Sequence, residues 1–182
     1  MTGPSGVGKS ILGLMLARLV EPVSGTVHLA GVNIRDLAGT TVRSVIGILA
    51  QDEVVFDTTI RENLRIADPN ATDLAMWEAL GSAGLGRFVD SLRRTLDTPI
   101  GEGRMLLSGG ERQRLCLARL LLGGHRVLIV DEPTEHLDEA AGEALVADLL
   151  ALAPQRSIVL ISHSQRVVDA VAHRISVEPA SV

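Results

Sequence analysis

The chain has 182 residues, a formal net charge of −5, 46% hydrophobic residues and 21% charged ones, which is the balance of one folded domain with its own core rather than a tail or linker. The acidic balance and the scattered placement of Arg61, Arg65, Arg93 and Arg94 argue against a nucleic-acid partner. No apolar run reaches the ~18 to 20 residues that span a bilayer, and no charged-then-apolar leader opens the sequence. Cys116, the single cysteine, cannot close an internal disulfide, so it reads as a small core residue in a reducing compartment.

Read in order, the first chemistry-bearing stretch is Gly3–Ser10, GPSGVGKS, which fits the phosphate-loop pattern G-x-x-x-x-G-K-[ST] at every fixed position. Its glycines Gly3, Gly6 and Gly8 allow successive N–H groups, Ser5 among them, to turn toward a polyphosphate. Lys9 then places a cation on the β/γ oxygens and Ser10 a hydroxyl on Mg²⁺. The apolar run Ile11, Leu12, Leu14, Met15, Leu16 and Leu19 predicts a helix whose positive end faces the phosphates. After a turn at Glu21–Gly25, Thr26–Leu29 and Gly31–Ile34 read as short edge strands, with His28 facing solvent. Val45–Ala50 is a continuous apolar run suited to a parallel strand, and it ends at Gln51, where an α/β sheet presents residues to its ligand.

From Thr58 to Leu96 the pattern turns helical, broken at Asp68-Pro69-Asn70 and at Gly81, Gly84 and Gly86, with Trp77 expected in its core. A glycine-bearing loop leads to Leu107–Glu111, LSGGE, and a long amphipathic helix through Leu122 carries Arg112, Arg114 and Arg119 on its polar side. Val127–Val130 is the clearest strand and terminates in Asp131 and Glu132. Leu137–Leu150 reads as a helix with Ala144, Leu145, Leu149 and Leu150 inward, and Ser157–Ile161 as a last buried strand ending at Ser162-His163. Strands alternating with helices specify a parallel α/β sheet. Coupled to Lys9 and Ser10, the acid pair takes distinct jobs: Asp131 holds the metal and Glu132 acts as general base toward water.

The order GPSGVGKS, Gln51, LSGGE, VLIVDE, Leu137-Asp138, His163 resembles the nucleotide-binding domain of ATP-binding cassette (ABC) transporters over nearly the whole chain. The resemblance implies a P-loop, RecA-like parallel sheet flanked by helices, with residues 1–52 and 113–182 as catalytic core and 53–112 as an ABC-type helical subdomain. It implies ATP and Mg²⁺ as ligands, with Gly3–Ser10 as the Walker A loop and Asp131 and Glu132 as the Walker B aspartate and catalytic base. Gln51 becomes the Q-loop residue that senses Mg²⁺ and the membrane partner. Ser108, Gly109 and Gly110 become the signature that caps the γ-phosphate held by a second subunit, Asp138 the D-loop aspartate, and His163 the switch histidine. The implied partners are a second nucleotide-binding domain, facing head to tail, and the transmembrane domain of an exporter at the cytoplasmic face of the cell membrane.

Val55–Leu64 and Leu96–Glu102 are similar to the exporter half-transporter pattern, and Glu135-His136-Leu137-Asp138 is similar to the CydC-type subunit of the thiol exporter needed for cytochrome bd assembly. Against that family the N-terminal antiparallel layer is largely missing, as is the strand entering the phosphate loop, so a fragment, a mis-started frame or a remnant is expected. A gap there would leave two ladder edges unpaired. Alternatives are a soluble non-transport ABC ATPase and a remnant that only pairs with a partner.

Overall fold

The computed structural model describes all residues except Glu53, His136, Pro154 and 179–182. In chain order its elements are α1 (Lys9–Leu16), β1 (His28–Leu29), β2 (Val32–Asn33), α2 (Gly39–Val45), β3 (Ile46–Leu49), α3 (Ile60–Arg65), α4 (Asp73–Ser82), α5 (Gly86–Ser91), α6 (Gly109–Leu122), β4 (Val127–Asp131), α7 (Glu139–Ala151), β5 (Ser157–Ile161) and α8 (Gln165–Ala170). They group into two units, one of Met1–Gln51, His125–Pro133 and Leu152–Val182, the other of Asp52–Gly124 and Thr134–Ala151.

In the first unit the apolar, β-branched runs become parallel strands in the order β3-β4-β5, with Leu49 opposite Val130 and Asp131 opposite Ile161. After its first residue β4 is buried throughout, as a strand covered on both faces must be. The ladder does not stop at β5, contrary to the expected gap. The Met1 amino group donates to the Leu160 carbonyl, Ser162 N–H donates to Met1 O at 3.1 Å, Thr2 N–H to Ile175 O at 2.8 Å and Val177 N–H to Thr2 O at 2.8 Å. Two residues suffice because Met1 turns both its donor and its acceptor to the β5 side and Thr2 turns both to 175–177. The antiparallel ribbon of β1 and β2 pairs His28 with Asn33 and Leu29 with Val32. Ala30 and Gly31 turn it, both at positive φ (50° and 83°), the geometry of a two-residue hairpin. His28 is exposed, as anticipated.

Helix α1 lies on this sheet differently from the expectation. Its buried positions are Lys9 and Gly13, continued by Ala17, while Ile11 is 51% and Leu19 50% exposed. A Cβ on Gly13 would come to 3.0 Å from Ile161 Cδ1 and 3.4 Å from Ile129 Cγ2, so the helix backbone rests almost directly on the strands, with Leu16 packed at the side of the core and Ile11 turned outward. Ala17, Ile34, Val42, Ile46, Ile129 and Ile161 form the core of this unit.

The second unit is helical. Thr59 and Thr72 cap α3 and α4 through Glu62 N–H at 3.1 Å and Ala75 N–H at 3.2 Å, each satisfying a donor that a helix start leaves open. Met76 and Leu80, four residues apart, are fully buried on α4, and Trp77, one step round the helix, is only half-buried. On α7 the inward stripe is Gly142, Leu145, Val146 and Leu149, whereas Ala144 is exposed. Arg114 of α6 donates to Asp148 of α7 at 2.6 Å and to Ala83 O at 2.8 Å, and 113–124 and 134–151 group with the helical residues. Cys116 is buried in α6 as a thiol rather than in a disulfide, with Arg119 Nη2 3.9 Å from its sulfur.

Candidate nucleotide-binding site

The loop Gly3–Ser10 leaves the sheet directly after Thr2. Gly3, Gly6 and Gly8 have φ of 152°, 78° and 96°, a region that side chains beyond glycine rarely enter. A Cβ at Gly6 or Gly8 would meet nothing within 4 Å, so glycine is required there by conformation and the loop opens onto free space. Lys9 is buried, and its Nζ donates to Gly3 O and Pro4 O at 3.0 Å each. The ammonium is thereby folded over the loop's own carbonyls, a position from which it can transfer to phosphate oxygens. Gly8 caps α1 without a side-chain hydrogen bond, so the first-turn N–H groups and the exposed Ser10 hydroxyl face outward.

Parallel register brings the remaining groups of this unit to the same edge. Gln51 follows β3 by two residues, Asp131 ends β4, and Ser162-His163 follow β5, all at the carboxyl ends where α/β sheets meet ligands. Asp131 is buried. Glu132 enters the left-handed region with φ 45°, its N–H held by Ile161 O at 2.8 Å. Its carboxylate accepts from the Ser162 hydroxyl at 3.1 Å and from His163 N–H at 3.2 Å, and lies 2.9 Å from His163 Nδ1. Ser162 carries no role in the sequence beyond ending the last strand, although its place as the first polar group after a buried strand is a usable signal. Ser10, Gln51 and Asp131 offer hydroxyl, amide and carboxylate oxygens, a hard donor set that fits Mg²⁺, which usually takes one or two protein oxygens beside phosphates and water.

The signature residues and Asp138 belong to the other unit. Ser108 is the N-cap of α6, and its N–H and hydroxyl both reach Glu111 Oε2 at 2.8 Å while Glu111 N–H returns to Ser108 Oγ at 3.3 Å. S-x-x-E is a capping box, a local signal carried inside LSGGE. Gly109 is exposed, and a Cβ on Gly110 would stand 3.3 Å from Leu137 Cδ2. Asp138 caps α7 by accepting from Ala141 N–H at 2.9 Å. Of the motif Glu135–Asp138, His136 lies outside the described residues.

A parallel sheet whose carboxyl edge gathers a glycine phosphate loop, an acid pair and a polar turn defines a P-loop nucleotide-binding domain. The family model described as ABC transporter matches residues 1–135, and the chain belongs to that family. It is 39% identical to the β-(1→2)glucan export ATP-binding/permease protein NdvA of Nitrobacter winogradskyi over 90% of this chain and 27% of that protein. It is 35% identical to the mitochondrial iron–sulfur clusters transporter ABCB7 of Danio rerio over 93% of this chain and 23% of that one. The structure of a bacterial Atm1-family ABC exporter with ATP bound superposes with a TM-score of 0.88 at 30% identity, covering 97% of this chain and 31% of that one. The chain thus spans about a quarter of the length of these two curated relatives.

Proposed function

We propose that this chain is the ATP-hydrolysing domain of an ABC exporter, working as a head-to-tail dimer at the cytoplasmic face of a membrane beside a transmembrane domain. The observation that carries the reading is the carboxylate of Glu132, oriented by Ser162 and His163 at the sheet edge next to Asp131. Lys9 and the amides of Gly3–Ser10 bind and orient the triphosphate, and Ser10, Asp131 and Gln51 would hold Mg²⁺. Mg²⁺, when bound, neutralises charge on the β- and γ-oxygens. Glu132 takes a proton from the water whose oxygen attacks the γ-phosphorus; the bond to the β,γ-bridging oxygen breaks and its electron pair leaves with ADP. His163 contacts the γ-phosphate, and Ser108, Gly109 and Gly110 of a second copy cap it from outside, with Asp138 at the dimer contact.

Glu132→Gln removes the proton acceptor and keeps the shape. It should leave ATP binding intact, lower hydrolysis by two orders of magnitude or more and trap a dimer with Mg-ATP in size-exclusion chromatography. Hydrolysis at the unmutated rate would sink the reading.

The cargo we place on this machinery is a thiol such as cysteine or glutathione, exported in support of cytochrome bd assembly. Only the run Glu135–Asp138 supports that finer assignment. ATP-dependent uptake of labelled glutathione and cysteine into inverted vesicles bearing the intact protein tests it, and uptake of neither would remove it.

A further inference from the structure

We propose that Ser162 is a positioning residue: the fixed anchor that holds the Glu132 carboxylate in place when His163 moves to the phosphate. The inference rests on the reading of Glu132 as general base and deepens it.

Among the described residues two neighbours hold the carboxylate, and they differ in freedom. The His163 side chain is 68% exposed, with open solvent to swing into and only Nδ1 on Glu132 Oε1. Ser162 is 1% exposed and cannot leave. Its N–H is committed to Met1 O at 3.1 Å, the carbonyl that immediately precedes Thr2 and the phosphate loop. Its Oγ accepts from Ser164 N–H at 3.1 Å, which directs the hydroxyl proton away from that amide and toward Glu132 Oε2, 3.1 Å away. Ser162 therefore ties the entry to the phosphate loop, the carboxylate and the histidine turn into one hydrogen-bonded unit.

The backbone of Glu132 adds a reason for such an anchor. With φ at 45° it occupies a conformation that non-glycine residues hold only when their surroundings impose it. Ile161 O fixes the main chain, but the side chain beyond Cβ depends on its acceptor contacts. Once the imidazole departs, Oε1 keeps, among the described residues, the His163 N–H at 3.2 Å, a donor shared with Oε2 at 3.4 Å. The Ser162 hydroxyl is then the side-chain donor that stays, and it keeps the carboxylate from rotating away from the attacking water.

The test uses the intact protein. Ser162→Ala should lower kcat for ATP hydrolysis about fivefold, the span of one ordinary hydrogen bond, with KM for Mg-ATP unchanged. Ser162→Thr, which keeps the hydroxyl, should restore most of it. In a Glu132→Gln background the alanine change should have no further effect on single-turnover hydrolysis, because the group it serves is already gone. In the nucleotide-free protein, Ser162→Ala should quicken hydrogen exchange at the His163 amide, which donates to the carboxylate Ser162 steadies. An equal loss in both backgrounds, a rise in KM with kcat untouched, or unchanged kcat and exchange would each overturn the proposal. If Glu132→Gln itself hydrolyses normally, the general-base reading fails instead, and that result is distinct from the Ser162 outcomes.

Discussion

His125 shows how one side chain links burial to pH. It precedes β4, and burial pushes its pKa below the ordinary histidine value, with the Arg156 charge acting the same way and hydrogen bonding to the Ser44 and Arg43 backbone opposing both. The folded chain therefore favours neutral imidazole, whereas the unfolded chain takes up a proton near pH 6.5. The stability from this group is full above that pH and is lost as pH falls from it through the lowered folded value. Urea midpoints should decline between pH 7 and pH 5, and His125→Gln should flatten that part of the profile. An unchanged slope in the variant would show that other groups set it.

At the scale of elements, α1 joins the phosphate loop to the sheet through the absence of a side chain. Gly13 costs about 1 kcal/mol of helix propensity relative to alanine, yet it lets the helix approach so closely that even an added Cβ would stand 3.0 Å from Ile161 and 3.4 Å from Ile129. A large residue has no space there. Gly13→Leu should destabilise the fold by about 1 to 3 kcal/mol and, because Lys9 and Ser10 ride on the same helix, weaken nucleotide binding as well. Thermal unfolding with and without Mg-ATP measures both effects; a variant with unchanged midpoint would mean that α1 can lift off the strands at no cost.

For the whole molecule, the head-to-tail reading divides each reaction centre between two copies, with Lys9, Asp131 and Glu132 from one and Ser108 from the other. Lys9→Ala and Ser108→Arg should each abolish hydrolysis alone. Mixed in equal amounts, half of the dimers pair one variant of each kind, and each such dimer has one of its two composite centres intact. Activity should then return to about a quarter of the unmutated level if the centres act independently. No recovery on mixing, with dimers demonstrated by cross-linking, would contradict composite centres.

The sequence by itself determined the chemistry that is contiguous along the chain. GPSGVGKS, LSGGE and VLIVDE each hold their fixed positions within a few residues, and the strand runs Val45–Ala50, Val127–Val130 and Ser157–Ile161 are apolar enough to be legible without partners. Helix caps were equally local: Ser108 and Glu111 meet because three residues is one helical turn. Tertiary structure decided what depends on distant neighbours. Glu132 and Ser162 are 30 residues apart and meet only because β4 and β5 are parallel and end in register. The inward face of α1 followed the close approach of its backbone to the sheet, which favoured Gly13 over the leucines that hydropathy points to. The two residues Met1 and Thr2 carry no strand pattern of their own, and became part of the ladder because Leu160, Ser162, Ile175 and Val177 supply complementary backbone groups on either side. A short segment acquires its conformation from the hydrogen bonds its neighbours leave open, and those neighbours exist only once the sheet has formed.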